Sequence, residues 1–464
     1  MAHGQWKCKR NKVGVPAVLT DMVHYRAPRL PWLSTALLLV VLSACDPESI
    51  QDFFTSYTPH ERYERRLQES GLDQTALGRD WIAAASGALE EAVPVTTPYL
   101  EESYLDSREA AASAYRIPLR RGQRLEVSFE SVPDSSYQVF LDLFRMGRDS
   151  MPRFLTSADS LERTLEYLAR RDGDYLVRIQ PELLRGGQYT ITITTQPSLQ
   201  FPVSEHDTTA IQSWYGDPRD GGRRQHEGLD IFAPRGTPVL AAADGVIRST
   251  RPNNLGGNVI WLRDDRNRTH YYAHLDNQAV RRGDRVQAGD TIGFVGNSGN
   301  ARTTPPHLHF GVYSQGSFDP YPALYQPPMT PTAFMGDLAL IGEFVRVNRD
   351  RTRVRTLPET GSVALTELSL HTPLFVEAGS GVWYRVRLPD GQIGFVATRL
   401  TEPVNGPLEQ QVVADGGMLL TDPDSSAVAV EQIDAGAEVG ILGSFREFLF
   451  VRGPSGRSGW LASN

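Results

Sequence analysis

The runs R-R-Q-H-E-G-L-D (Arg223–Asp230), H-Y-Y-A-H-L-D (His270–Asp276) and P-P-H-L-H-F-G-V (Pro305–Val312) hold five of the chain's ten histidines. An aspartate stands four residues after the first of them. Several imidazoles and one carboxylate suit a catalytic zinc site, in which three protein ligands leave a fourth position for water. His226 and Asp230 have helical i, i+4 spacing, but Gly228 and the Ile231–Pro234 run argue against a helix. On a straight strand they would lie about 13 Å apart, too far for one ion, so a bend is needed, and Gly228 is where it is cheapest. His307 and His309 alternate as on a strand and share one face, with Cα atoms about 6.7 Å apart. His274 ends a similar run. Spacing alone leaves four histidines and one aspartate for three positions.

The flanking phrases add specificity. H-x-G-x-D is followed by G-T-P-V (Gly236–Val239), A-A-D-G-V-I (Ala242–Ile247), Y-A-H-L (Tyr272–Leu275), G-N-S-G-N (Gly296–Asn300) and H-L-H-F (His307–Phe310). Together, over about residues 203–325, they resemble the lysostaphin-type (LytM-type) zinc metalloendopeptidases, the murein endopeptidases. That resemblance implies an antiparallel β peptidase domain over 203–330 and one zinc per chain. It implies His226, Asp230 and His309 as zinc ligands and His274 and His307 as the catalytic pair. Peptidoglycan is the implied substrate.

Other residues of the region receive plainer readings. Glu227 is read as solvated surface and His270 as a rim or surface residue. His206 and His371 are lone histidines read as inert. Tyr215 and Tyr272 are the candidate substrate contacts, with plain packing an equal reading for Tyr215. Arg219, Arg223 and Arg224 are read as an exposed turn.

The rest of the chain sets the context. At 464 residues it is too long for one ordinary core. A net charge of −8 argues against a nucleic-acid partner. The Gly- and Pro-rich composition favours β domains. Arg26 and Arg29 precede an apolar run, Leu33–Leu42, shorter than an ordinary spanning helix. It ends in L-S-A-C (Leu42–Cys45), which resembles a bacterial lipobox. Residues 1–45 are therefore expected to be a lipoprotein signal, with Met22 a plausible start. That resemblance implies Cys45 as the lipidation site and a membrane-anchored lipoprotein of the bacterial envelope, on the periplasmic side. Residues 46–96 have helical spacing and read as a short stalk.

Strand-like alternation begins near residue 97. Arg124–Glu130, Tyr175–Ile179 and Tyr189–Thr194 alternate polar and apolar positions. The segment 97–202 resembles the β-sandwich of pre-peptidase C-terminal domains. Trp383–Ala397 repeats as Phe448–Ala462, 65 residues later, each unit a strand, a P-x-G turn and a second strand opening with Gly-aromatic. The modules 345–403 and 408–464 resemble bacterial SH3-type barrels, with the repeated aromatics expected to be exposed and to face the wall. The expected protein is mainly β and multidomain. Three rival readings stand beside an enzyme of the wall: a non-catalytic activator of another hydrolase, a peptidase acting on proteins, and a pure wall-binding adaptor.

Overall fold

The structure is a computed structural model that describes residues 57–463 apart from 108, 133–136, 160 and 327–329. The signal and Cys45 lie outside the described residues. Two helices open the described chain, Pro59–Glu69 and Ala76–Glu90. The first starts at a capping box, in which the Thr58 hydroxyl accepts from the Glu61 N–H and the Glu61 carboxylate accepts from the Thr58 N–H. Proline at its first position reinforces that start. The helices do not stand free. Trp81 is buried with Leu67 and Phe140, and its indole N–H donates to the Pro181 carbonyl at 2.9 Å. His60 stacks on Trp81 at 4.7 Å and bonds Gln180 at 2.7 Å. Among the described residues, no helix is long and apolar enough to cross a membrane.

Residues 93–196 form two sheet layers over one core. One layer runs, in spatial order, Val93–Pro94, Ser113–Leu119, Gly173–Pro181, Val139–Met146 and Pro152–Ser157. The other contains Tyr99–Leu105, Gly187–Gln196, Arg124–Val132 and Thr164–Leu168. Alternate residues such as Leu125, Val127 and Phe129, and Ile191 and Ile193, supply the buried face.

The second layer does not end with this domain. Tyr99–Leu105 also pairs with Pro373–Ser380 of the C-terminal region, Glu102 opposite Gly379. Trp383 and Phe395 join the core of residues 93–196. Arg385 lies buried across the same junction, its Nη1 3.2 Å from Glu101 Oε2. One repeat later, Phe448, Phe450 and Trp460 cluster with Phe344 of the preceding module, Phe344 and Phe450 having ring centroids 4.6 Å apart. Each copy therefore buries its repeated aromatics against another domain, the first against the 93–196 core and the second against the preceding module. This corrects the expectation of exposed aromatics: Trp383, Phe395, Phe448 and Trp460 are each at most 7% exposed. A local hairpin pattern cannot distinguish a face that meets solvent from one that meets another domain.

The region between holds the histidines. Its main sheet runs Ile211–Ser213, Leu229–Phe232, His307–Tyr313, Thr269–Leu275, Asn258–Asp264, Gly245–Ser249 and Arg285–Val286. A smaller sheet of Pro238–Leu240, Thr291–Phe294 and Asn277–Gln278 contributes Val239 and Ile292 to the core. Leu308, Phe310 and Val312 point into that core. Their neighbours His307, His309 and Tyr313 line a cleft on the opposite face.

Candidate metal centre and active site

Asp230 and His309 meet because their strands pair with these two residues directly opposite each other. His226 arrives from the segment just before, through Gly228. A Cβ on Gly228 would clash with the Phe310 carbonyl and come within 2.9 Å of His309 Cε1. The glycine is thus required by the close approach of two strands.

The three side chains converge. His226 Nε2 lies 2.9 Å from His309 Nδ1, and Asp230 Oδ1 lies 3.0 Å from each of these nitrogens. Tetrahedral zinc with bonds of about 2.0–2.1 Å sets its ligand atoms roughly 3.3 Å apart, within a few tenths of these distances. The donor set fits a cation on chemical grounds too. His226 Nδ1 is 2.8 Å from the Trp214 carbonyl. A carbonyl only accepts, so that nitrogen carries the proton and Nε2 offers a lone pair. Burial raises the Asp230 pKa, but the hydrogen bonds and charges of His226 and His309 outweigh it and hold the carboxyl well below the usual range. Burial also lowers the pKa of His309.

Two further histidines face this cluster. His307 stacks on Phe232, its cross-strand partner, at 4.9 Å. His274 has a left-handed φ of 63°. Strand alternation would send it to the core with His270 and Tyr272. The register slips by one residue between Ile260↔Tyr272 and Asn258↔Leu275, a bulge that re-aims His274 into the cleft. The two rings lie 5.0 Å apart. His274 Nδ1 is 2.9 Å from the Ser298 carbonyl and His307 Nδ1 is 2.9 Å from the Pro305 carbonyl. Both rings therefore present a bare Nε2. Burial, then the neighbouring His307 and His309, lowers the His274 pKa to about 4. The cleft has a volume of about 460 Å³.

Several expectations are corrected here. Tyr272 is fully buried and its hydroxyl accepts from the Ala242 N–H at 2.8 Å, so it is core and does not contact substrate. Tyr215 packs at the core edge and bonds Ser317, away from the cleft lining. His270 is no rim residue: it is completely buried and bonded to Asp264 at 3.0 Å. Glu227 is exposed, as expected, but it lines the cleft. Arg223 and Arg224 are exposed, whereas Arg219 is tied to Asp230 Oδ2 at 2.9 Å and to Ser213 Oγ at 2.6 Å. Sequence reasoning missed Tyr271, whose ring meets that of His309 in a T-shaped contact, centroids 5.8 Å apart, on the cleft wall. Alternation with the core residue Tyr272 is the signal that finds it.

Residues 224–320 match the model of peptidase family M23. The chain is 43% identical over 137 residues to an L-Ala–D-Glu endopeptidase of Bacillus subtilis, covering 27% of this chain and 42% of that protein. It is 41% identical over 99 residues to the peptidoglycan DD-endopeptidase ShyC of Vibrio cholerae, covering 21% of this chain and 22% of that protein. The chain thus spans less than half the length of either relative. The catalytic domain of lysostaphin from Staphylococcus simulans is a solved structure 36% identical to this chain, with 25% of this chain and 90% of that one covered and a TM-score of 0.23. The three clustered residues and the two histidines that face them fall inside the matched segment, and residues 224–320 make up a domain of peptidase family M23.

Proposed function

We propose that this chain is a zinc endopeptidase that hydrolyses peptide bonds of peptidoglycan. The observation that carries this reading is the convergence of His226, Asp230 and His309 beside two histidines that both offer a bare Nε2 to the same cleft. One zinc held by the three residues would acidify a water and polarise the carbonyl to be attacked. His274 and His307 do the proton work. One takes the proton of the attacking water at its bare Nε2 and then delivers that same proton to the leaving amine, while the other, when it holds a proton from solvent, steadies the charge that grows on the carbonyl oxygen. The names of the B. subtilis and V. cholerae relatives support wall peptides as the substrate class. An intact ligand set disfavours an activator or a binding adaptor without chemistry.

The surrounding parts fit the same reading. Cys45 carries a lipid that keeps the enzyme at the membrane, beside an insoluble polymer at high local concentration. The 97–202 sandwich and the two SH3-type modules, 345–403 and 408–464, serve as spacing or wall-binding parts. The decisive experiment is digestion of purified peptidoglycan by zinc-loaded protein, with mass spectrometry of the released muropeptides. New peptide termini support the reading. Cleavage of casein with none of peptidoglycan would favour a peptidase of proteins, and no cleavage of either would favour an activator.

A further inference from the structure

One wall of the cleft, lined by Tyr271 and Tyr313, supplies no metal ligand. Trp261, Tyr271 and Tyr313 stand on three neighbouring strands. Trp261 and Tyr271 are direct cross-strand partners with ring centroids 4.2 Å apart. The Tyr313 ring lies 5.9 Å from Trp261. Gly311 sits opposite Tyr271, and a Cβ there would come within 3.2 Å of the Tyr313 ring. The missing side chain leaves the ring room on the sheet surface. Trp261, Tyr271 and Tyr313 are all partly exposed, unlike Tyr272 and Phe310 on the core face.

Glu227 closes the end of this wall. Its carboxylate accepts from the Tyr313 hydroxyl at 3.4 Å, a long contact that leaves most of its acceptor capacity open. The other charged side chains of the cleft are committed: Arg219 to Asp230 and Arg224 to Asp220, both at 2.9 Å. Among the described residues, Glu227 has no cationic partner. Aromatic faces beside an unpaired carboxylate attract an ammonium group, the rings through their quadrupole and the carboxylate through its charge.

We propose that Glu227, Tyr271 and Tyr313 form a specificity subsite for a cationic side chain, the free ammonium of a diamino acid beside the bond that is cut. This rests on the peptidase reading above. It also sets a direction. A substrate residue with a carboxylate in that position meets Glu227 with like charge and is disfavoured.

The test uses the full-length, zinc-loaded protein and two synthetic wall peptides that span the bond. They differ only in whether the side-chain amine of the diamino acid is free or acetylated. At low ionic strength kcat/KM should favour the free amine about tenfold, the combined scale of one exposed ion pair and one cation–π contact. Glu227→Gln should bring the ratio close to one. Tyr313→Leu should lower it, and Tyr313→Phe should retain most of it. Equal kcat/KM for the two peptides in the wild type, or a preference that survives in Glu227→Gln, overturns the subsite. Equilibrium binding of both peptides is measured by calorimetry in parallel. If neither peptide is cut but the free amine still binds about tenfold tighter in a Glu227-dependent way, the subsite stands and the peptidase assignment fails. If neither is cut and both bind alike, the subsite fails as well.

Discussion

Arg219 donates from Nη2 to Oδ2 of Asp230 at 2.9 Å, which leaves Oδ1 as the oxygen facing His226 and His309. The guanidinium thereby orients the carboxylate, and Ser213 Oγ, 2.6 Å away, holds the guanidinium in turn. Arg219→Gln should weaken zinc binding by about 10- to 100-fold, the usual scale for losing a partner that orients a ligand. Competition with a chromogenic chelator measures this. Asp230→Ala should lose most of the metal, and full occupancy in that variant would show that Asp230 is not a ligand.

His274→Ala and His307→Ala should keep zinc, since neither residue belongs to the converging triad. Turnover of a cross-linked muropeptide should fall at least about 10²-fold in each, the scale of a lost general base or oxyanion donor. Metal content and rate must be measured on the same preparations. Loss of zinc in His307→Ala, with retention in His309→Ala, would exchange the two assignments.

The buried pair Glu101–Arg385 should govern how firmly the 345–403 module is attached. Glu101 accepts from Tyr115 at 2.6 Å and also from the Tyr99 hydroxyl, while Arg385 faces both Glu101 and Glu377. Arg385→Met leaves a buried carboxylate without its counter-charge and should destabilise the protein by about 3–5 kcal/mol. Adding Glu101→Gln should restore much of that loss. Urea unfolding of the single and double variants gives the comparison, and a double variant no better than the single would refute the coupling.

Docking of the helices should weaken in acid. Burial, then the nearby Arg178 cation, lowers the His60 pKa from 6.5 to about 4. Between those values an unfolded chain binds a proton at His60 that the folded chain refuses, so stability rises with pH. The contribution is fully present above pH 6.5 and is lost as pH falls toward 4, reaching about 3 kcal/mol. His60→Phe removes the titrating group, and its Tm should fall less steeply over this range than that of the wild type. Parallel slopes would show that His60 does not carry the effect.

Much of the site was legible because its chemistry is written in residue type and short spacing. The alternation of His307, Leu308, His309 and Phe310 predicts two histidines on one face, and the strand shows that arrangement. The resemblance named the five residues that the fold then brings to one cleft. The helical spacing near Tyr63, Leu67 and Trp81 likewise corresponds to real helices.

What the sequence determined by itself was therefore the kinds of groups available, the strand faces and the repeat. Those follow from local sterics and a period of two residues. The tertiary structure decided where the pattern breaks and what each face meets. A bulge, set by the pairing strand, turned His274 from core to cleft. Arg219 reached Asp230 because the hairpin Pro218–Arg219 with Arg224–Gln225 folds back there. The repeated aromatics disappeared into interfaces because burial depends on a partner surface that is distant in sequence. Register slips, close strand approach and domain contacts are non-local, and no spacing rule carries them.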